Sequence, residues 1–384
     1  MDKQNLLVLE KCRAALAESP FEALLVSGAD HVQYLSGASL PGMFAKRDEA
    51  VFFFMDQAGQ AILICPASLK ATLLALGWVQ QAVTYAAGQN PVDVIVPLLK
   101  EAQQIGLDFE RVPVALYDQL EAALPGKTWS ACDVWLNEQR MNKTTAEQRL
   151  LADIAARADH GIAGAIHHVP VLGARSEKYI AEDIRVHCLE RELDCQGYHN
   201  VSLAAAGEHS RDLWPLAPAY GMGWAKGLLP EETVRLEMRP VMQGYWGDAA
   251  RMLVMGEPDA MQAQAYDWLV TLRQAFELAL KPGIKANVLF RRLNRLAEDQ
   301  GIPLVTALGL GHGVGVTPFE GPYINAWDET ELAAGMVLVL DIMVQARNHD
   351  LFRIRETYIL VAEGAQRAQW YQNWDRPYIP AYTF

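Results

Sequence analysis

VRLEMRPVMQGYWGDAARMLV, residues 234–254, is the stretch on which the reading of the fold turns. Two runs of strand-forming residues, Val234–Val241 and Tyr245–Val254, flank Met242-Gln243-Gly244, a glycine-containing break of the kind that joins the arms of a β-hairpin. If Met242 and Gln243 form the loop, Glu237 faces Asp248, with Cβ atoms about 5 Å apart on one side of the hairpin. Two carboxylates so placed repel unless a cation, a proton or an arginine lies between them. A longer or bulged turn would instead leave both as solvated surface charges.

Outward from the hairpin, the chain has 384 residues, 51% hydrophobic and 21% charged, enough for two or more domains with sizeable cores. A formal charge of -13 and the lack of a Lys/Arg cluster provide no field for nucleic acid or an anionic membrane surface. The N-terminus, MDKQNLLVLEKCRAALAE, carries charges throughout and lacks the apolar run of a signal peptide. No window reaches the roughly 18 uncharged apolar residues of a membrane span. Five cysteines without a CxxC pair fit reduced thiols, and the expected location is cytoplasmic.

The fold class expected is α/β (α+β) in two domains, residues 1–135 and 136–384. In the first, Glu22–Ser27, Glu49–Met55 and Gln60–Cys65 read as strands, and Asp30–Gly37 as the lead into a loop. The second opens on a long helix after Lys143, with a Thr144-to-Glu147 capping signal, and a second capped helix starts at Ser176. A loop-rich stretch, Tyr198–Pro230, precedes the hairpin. Helices at Ala260–Leu280 and Ala286–Gln300 follow it, then strands at Met336–Val344 and Phe352–Val361.

Four further positions could carry chemistry with the hairpin acids. His312 lies in LGLGHGVGV, where flanking glycines allow close backbone approach. Asp341 is the single charge in an apolar strand and needs a partner, because a lone buried carboxylate costs several kcal/mol. In FRIRET, alternation places Arg353 and Arg355 on one face and Ile354 and Glu356 on the other. Of the two arginines, one is expected to be solvated.

On these residues the chain resembles the pita-bread family of aminopeptidase P, prolidase, methionine aminopeptidase and creatinase. ALLVSGADHVQYLSG looks like its creatinase-type N-terminal domain; GYWGDAARMLVMGEP, GHGVGV, AAGMVLVLD and FRIRETYILVAEG follow in the family's order. The resemblance implies a catalytic domain of two related halves around a six-stranded sheet, a homodimer, and a peptidase site of two metal ions on two Asp, one His and two Glu. Carried over, those positions are Glu237, Asp248, His312, Asp341 and, where the bridging Glu belongs, Arg355. An arginine there argues against a binuclear centre. Two other family histidines fall on Phe319 and near Trp214, with His209 close enough to substitute, and the creatinase glutamate falls on Ala250.

The leading expectation is therefore a metal-independent hydrolase, or related lyase, of a C–N bond in a small amino-acid-like molecule. Glu237, Asp248 and Asp341 would serve as acid, base or nucleophile, one of them protonated near neutral pH; His312 would orient or donate, and Arg355 would bind a carboxylate or steady the acids. Trp214, Tyr245, Phe319, Glu356 and, by analogy with relatives, Arg47 would contact substrate. One alternative is an Xaa-Pro aminopeptidase or dipeptidase with a single Mn, Fe or Zn ion on Asp248, His312 and Asp341. The other is a binding protein that kept the fold and lost the chemistry.

Overall fold

A computed structural model of the chain describes residues 7–38, 50–168, 176–194, 202–213, 226–346, 348–369 and 378–379. It divides into two compact units, Met1–Arg140 and Met141–Phe384.

Among the described residues, the first unit carries six strands: β1 (Ala23–Val26), β2 (Phe52–Asp56), β3 (Ala61–Pro66), β4 (Gln81–Tyr85), β5 (Gln104–Leu107) and β6 (Thr128–Ala131). They form one mixed sheet in the order β4-β3-β2-β1-β5-β6. Leu25, Phe54, Ile64, Ile105 and Leu107 build its buried core with Ile95 and Leu99 of the helix Val92–Leu99. Asp30–Gly37, read as the lead into a loop, is a helix over Ala29–Ser36, ended by Gly37 in the left-handed region. Its buried face, with Val32, Tyr34 and Leu35, outweighs its few turns of intrinsic propensity.

In the second unit, the helix Thr145–His168 opens as expected: Thr144 Oγ1 accepts from the Glu147 amide at 3.1 Å, and Glu147 Oε2 accepts from the Thr144 amide at 2.8 Å. Ser176 caps the helix Glu177–Leu189 in turn. The strands are β7 (Ser202–Ala206), β8 (Thr233–Met238), β9 (Val241–Met242), β10 (Tyr245–Trp246), β11 (Ala249–Met255), β12 (Leu304–Val305), β13 (Gly311–Gly313), β14 (Glu320–Tyr323), β15 (Val337–Gln345), β16 (Leu351–Val361), β17 (Gly364–Arg367) and β18 (Tyr378–Ile379). The main sheet has ten strands, in the path β14-β13-β15-β16-β11-β8-β7 with β12, β17 and β18 attached, rather than the six implied by resemblance. Several are short edge segments.

Alternation along the two longest strands sorts the sheet's faces. Leu338, Leu340, Ile342 and Val344 of β15, with Phe352, Ile354 and Tyr358 of β16, join the core shared with Leu269, Leu272 and Phe276 of the helix Ala260–Ala279. The intervening residues, including Asp341, Arg353 and Arg355, project to the opposite face.

The hairpin register differs from the expectation. Met242 pairs with Tyr245 and Ala250 with Glu237, so the turn is the two residues Gln243-Gly244, and Asp248 is not opposite Glu237. Gln243 and Gly244 have φ of 52° and 82°. Two successive positive-φ residues are what a two-residue hairpin of the right twist requires, and the glycine permits it without strain.

Candidate functional site

The register assembles a cluster that no single motif contains. Asp341 pairs with Arg355, Arg355 with Ala250, and Ala250 with Glu237, one row across β15, β16, β11 and β8. Cross-strand neighbours project to the same side, so these side chains meet on the face away from the helices. Arg353, two residues before Arg355, shares that face. His312 enters from β13, where it pairs with Val339, two residues from Asp341. The glycines beside it are needed: a Cβ on Gly311 would lie 2.4 Å from the Val339 carbonyl oxygen, and one on Gly313 2.2 Å from that of Gly321.

Each oxygen of the three carboxylates is held by a guanidinium. Arg355 Nη1 donates to Glu237 Oε2 at 2.8 Å and Asp248 Oδ1 at 3.1 Å, and its Nε to Asp341 Oδ2 at 3.1 Å. Arg353 donates through Nε to Asp341 Oδ1 at 2.7 Å, through Nη2 to Asp341 Oδ2 at 2.6 Å, and through Nη1 to Glu237 Oε1 at 3.1 Å. Arg239 Nε donates to Asp248 Oδ2 at 3.0 Å, and Arg235 Nε lies 3.0 Å from Glu237 Oε1. Arg235 Nη1 and Nη2 donate to the Ser210 and Asp212 carbonyls, tying the turn Gly207–Arg211 to the cluster.

Neither arginine of FRIRET is solvated; Arg353 is 1% and Arg355 0% exposed. For Glu237 and Asp341, these arginines also count against the expected protonated acid. Burial alone would raise the Glu237 and Asp341 carboxyls, but Arg353 and Arg355 beside both hold them well below the usual carboxylate range. The three carboxylates in turn push the Arg355 guanidinium up despite its burial. Both acids are thus fixed as anions near neutral pH.

His312 is the member of the cluster with an uncommitted proton acceptor. Its Nδ1 is 2.9 Å from the Gly313 carbonyl, which can only accept, so Nδ1 carries the hydrogen and Nε2 the lone pair. Burial lowers its pKa, partly offset by Asp248 and Asp341, which keeps the ring neutral near pH 7. Nε2 has no hydrogen-bond partner among the described residues and lies 3.8 Å from Asp248 Oδ2. The Phe319 ring packs edge-on against His312 at 4.6 Å between centroids, and Arg239 stacks over Phe319 at 4.7 Å. Phe319 is 38% exposed, while the side chains it covers are buried.

Two expected substrate contacts face elsewhere. Tyr245 is buried and donates its hydroxyl to Glu147 Oε1 at 2.9 Å. Glu356 is on the helix face, accepts from the Tyr358 hydroxyl at 3.1 Å, and lies 3.6–3.7 Å from Arg251, Arg273 and Arg367. Asp159 joins that second cluster through Arg251 at 2.6 Å. His209 is held by Glu177, its Nδ1 2.9 Å from Oε2. Trp214 and Arg47 lie outside the described residues. Sequence reading missed Arg235 and Arg239 and underrated Arg353; the available signal was alternation, which puts Arg235, Glu237 and Arg239 on one face of β8 and its continuation.

Acid should weaken this unit. Glu237 and Asp341 titrate lower folded than unfolded, where ordinary values are about 4.3 and 3.9. Their stabilisation is therefore complete above about pH 5 and is lost as pH falls through the unfolded values toward the folded ones. Urea unfolding is expected to give a level stability from pH 7.5 to 5.5 and a drop on the order of 2 kcal/mol or more by pH 3. A profile that stays level to pH 3 would contradict the assignment.

The sequence pattern of Metallopeptidase family M24 matches residues 147–362, and that of the Creatinase/Prolidase N-terminal domain matches residues 9–142. The chain belongs to family M24, the pita-bread hydrolases that include aminopeptidase P and prolidase. An Xaa-Pro dipeptidase of Lactobacillus delbrueckii subsp. lactis is 23% identical over 362 residues, covering 93% of this chain and 95% of that protein. One from Pyrococcus horikoshii is 22% identical over 356 residues, covering 91% and 93%. Among solved structures, the X-Pro aminopeptidase of Thermotoga maritima MSB8 superposes with a TM-score of 0.81 at 16% identity over 96% of this chain and 99% of that one. The dipeptidase PepE of Mycobacterium ulcerans gives 0.80 at 21% over 98% and 99%. These likenesses establish the fold.

A family of metallopeptidases implies divalent ions, and the donor set here does not fit them. All six carboxylate oxygens already accept from arginine, and an ion among them would have to displace buried cations. Among the described residues no group of three or more His, Cys, Asp or Glu side chains is arranged to hold a metal.

Proposed function

We propose that the chain hydrolyses the C–N bond of a small dipeptide or acylated amino acid without a metal ion. The observation that carries this is the network itself: arginines neutralise the three acids, and the Nε2 lone pair of His312 is left as the uncommitted base. Water would add to the carbonyl carbon as His312 Nε2 takes its proton, with Asp248 at 3.8 Å favouring the imidazolium that forms. The C–N bond would then break as the same proton passes to the leaving nitrogen. Glu237 and Asp341, held ionised, fix Arg353 and Arg355 rather than donate protons. Lyase chemistry has no support here beyond the resemblance.

The names of the relatives favour a second reading, an Xaa-Pro dipeptidase with one ion, for which Asp248, His312 and Asp341 are the candidate ligands. The Nε2 lone pair of His312 would suit it; the guanidinium of Arg355 opposes it. A cytoplasmic homodimer belongs to either reading. Cys65, Cys132 and Cys188 are free and buried, as suits a reducing compartment, and no helix among the described residues is long and apolar enough to cross a membrane.

Amine release from a panel of Xaa-Pro dipeptides and N-acyl amino acids separates the readings. Turnover that persists in EDTA, by protein carrying less than stoichiometric metal, is the expected result. Turnover abolished by EDTA and restored by Mn, Fe or Zn ions would install the single-ion reading instead. No turnover of any small amide would reject both.

A further inference from the structure

At the described residues the cluster sets four guanidiniums, Arg235, Arg239, Arg353 and Arg355, against three carboxylates, Glu237, Asp248 and Asp341. With His312 neutral, the excess is one positive charge. Each acid is already shared: Glu237 by Arg235, Arg353 and Arg355, Asp248 by Arg239 and Arg355, Asp341 by Arg353 and Arg355. None has an oxygen left over for the surplus. Burial and the neighbouring Arg353 and Arg355 push Arg235 down to about 10 against the pull of Glu237, and burial with Arg355 also lowers Arg239.

A second, independent feature lies in the same place. Arg355 Nη2 is fully buried and has no hydrogen-bond partner among the described residues, although Nε and Nη1 of the same guanidinium make three bonds. A buried donor without a partner costs about 1–3 kcal/mol, more when charged, so a partner is missing. Arg355 and His312 bracket one carboxylate, with Nη1 3.1 Å from Asp248 Oδ1 and Nε2 3.8 Å from Oδ2. The guanidinium that carries the unpartnered donor and the ring that carries the lone pair thus flank the same carboxylate. Phe319, packed against His312 and Arg239, is 38% exposed and is the solvent-facing side chain next to the cluster.

We infer that this centre binds an anion: Arg355 Nη2 takes a substrate carboxylate that lies next to the scissile C–N bond, in the place where a metallopeptidase would bind cations. A planar guanidinium edge matches a carboxylate oxygen in geometry and charge. The inference rests on the hydrolase reading for the identity of the bond, but not for the anion. It also explains why a substrate should be small: its carboxylate must reach Arg355 while its cleaved amide reaches His312, and both flank Asp248.

Titration calorimetry on the full chain tests it with glycyl-proline and N-acetylglycine, each compared with its C-terminal carboxamide. The acids are expected to bind about 10- to 100-fold tighter than the amides, the span of one charge-assisted hydrogen bond. Binding of the acids should weaken in Arg355→Gln, and Arg355→Lys should recover part of it. Amides binding as tightly as acids, acids binding Arg355→Gln as well as wild type, or no acid binding at all would each overturn the inference. The wild-type acid–amide comparison stands even if Arg355→Gln does not fold. Acid-selective binding without turnover would remove the hydrolase reading and leave the anion site; equal turnover of acids and amides would do the reverse.

Discussion

Arg355→Met is expected to destabilise the catalytic unit by about 3–5 kcal/mol, the cost of removing one partner from a buried ionic network. The guanidinium supplies Glu237 Oε2, Asp248 Oδ1 and Asp341 Oδ2 with donors at 2.8, 3.1 and 3.1 Å. Arg353 still holds Glu237 and Asp341 when Arg355 is gone, so the deficit concentrates on Asp248, left with Arg239. Urea unfolding at pH 7.5 measures it, and a loss below about 1 kcal/mol would show that Arg355 is dispensable to the network. The companion Arg355→Glu removes a cation and adds a fourth acid, producing the donor set for which the family resemblance implies metal binding. Millimolar Mn ions should raise its melting temperature and leave wild type unchanged. If wild type is stabilised as well, the arginines do not exclude cations and the single-ion reading regains its footing.

For catalysis, the largest expected effect is that of His312→Ala, a fall in kcat of about 10²–10⁴-fold, the usual contribution of a positioned general base. The ring forms one hydrogen bond, to the Gly313 carbonyl, and packs against Phe319, so the fold should survive its removal. The pH profile separates a base from a merely structural histidine. Burial sets the His312 pKa below its ordinary value, so the acid limb of kcat/KM in wild type should lie below about pH 6.5. That limb should disappear from the residual activity of His312→Ala. A variant with full kcat, or one with the wild-type acid limb, would assign the proton transfer to another group.

Glu237 and Asp248 illustrate how far local pattern reaches. The strand of Glu237, the approach of Asp248 to β11 and the break between them follow from alternation and from Gly244. Their pairing does not, because a shift of the turn from Met242-Gln243 to Gln243-Gly244 moves every partner by two residues and sets Ala250 opposite Glu237. The positive φ of Gln243 is a property of the folded turn, and nothing in an isolated Gln announces it.

What the sequence by itself determined was the order of elements, the caps at Thr144 and Ser176, the parity that sends Asp341, Arg353 and Arg355 to one face, and the arginine standing where the family resemblance places a bridging acid. Those depend on neighbours one to four residues away, where periodicity and capping chemistry act directly. Only the tertiary structure decided who pairs with whom: that Arg353 is buried between Asp341 and Glu237, more than 100 residues apart, that Arg235 and Arg239 close the network, and that Tyr245 and Glu356 are committed to Glu147 and to a second ion cluster. The physical reason is that a buried charge is stable only beside its counter-charge. For Glu237 and Asp248, the counter-charges of Arg353 and Arg355 come from a strand more than 100 residues further along the chain.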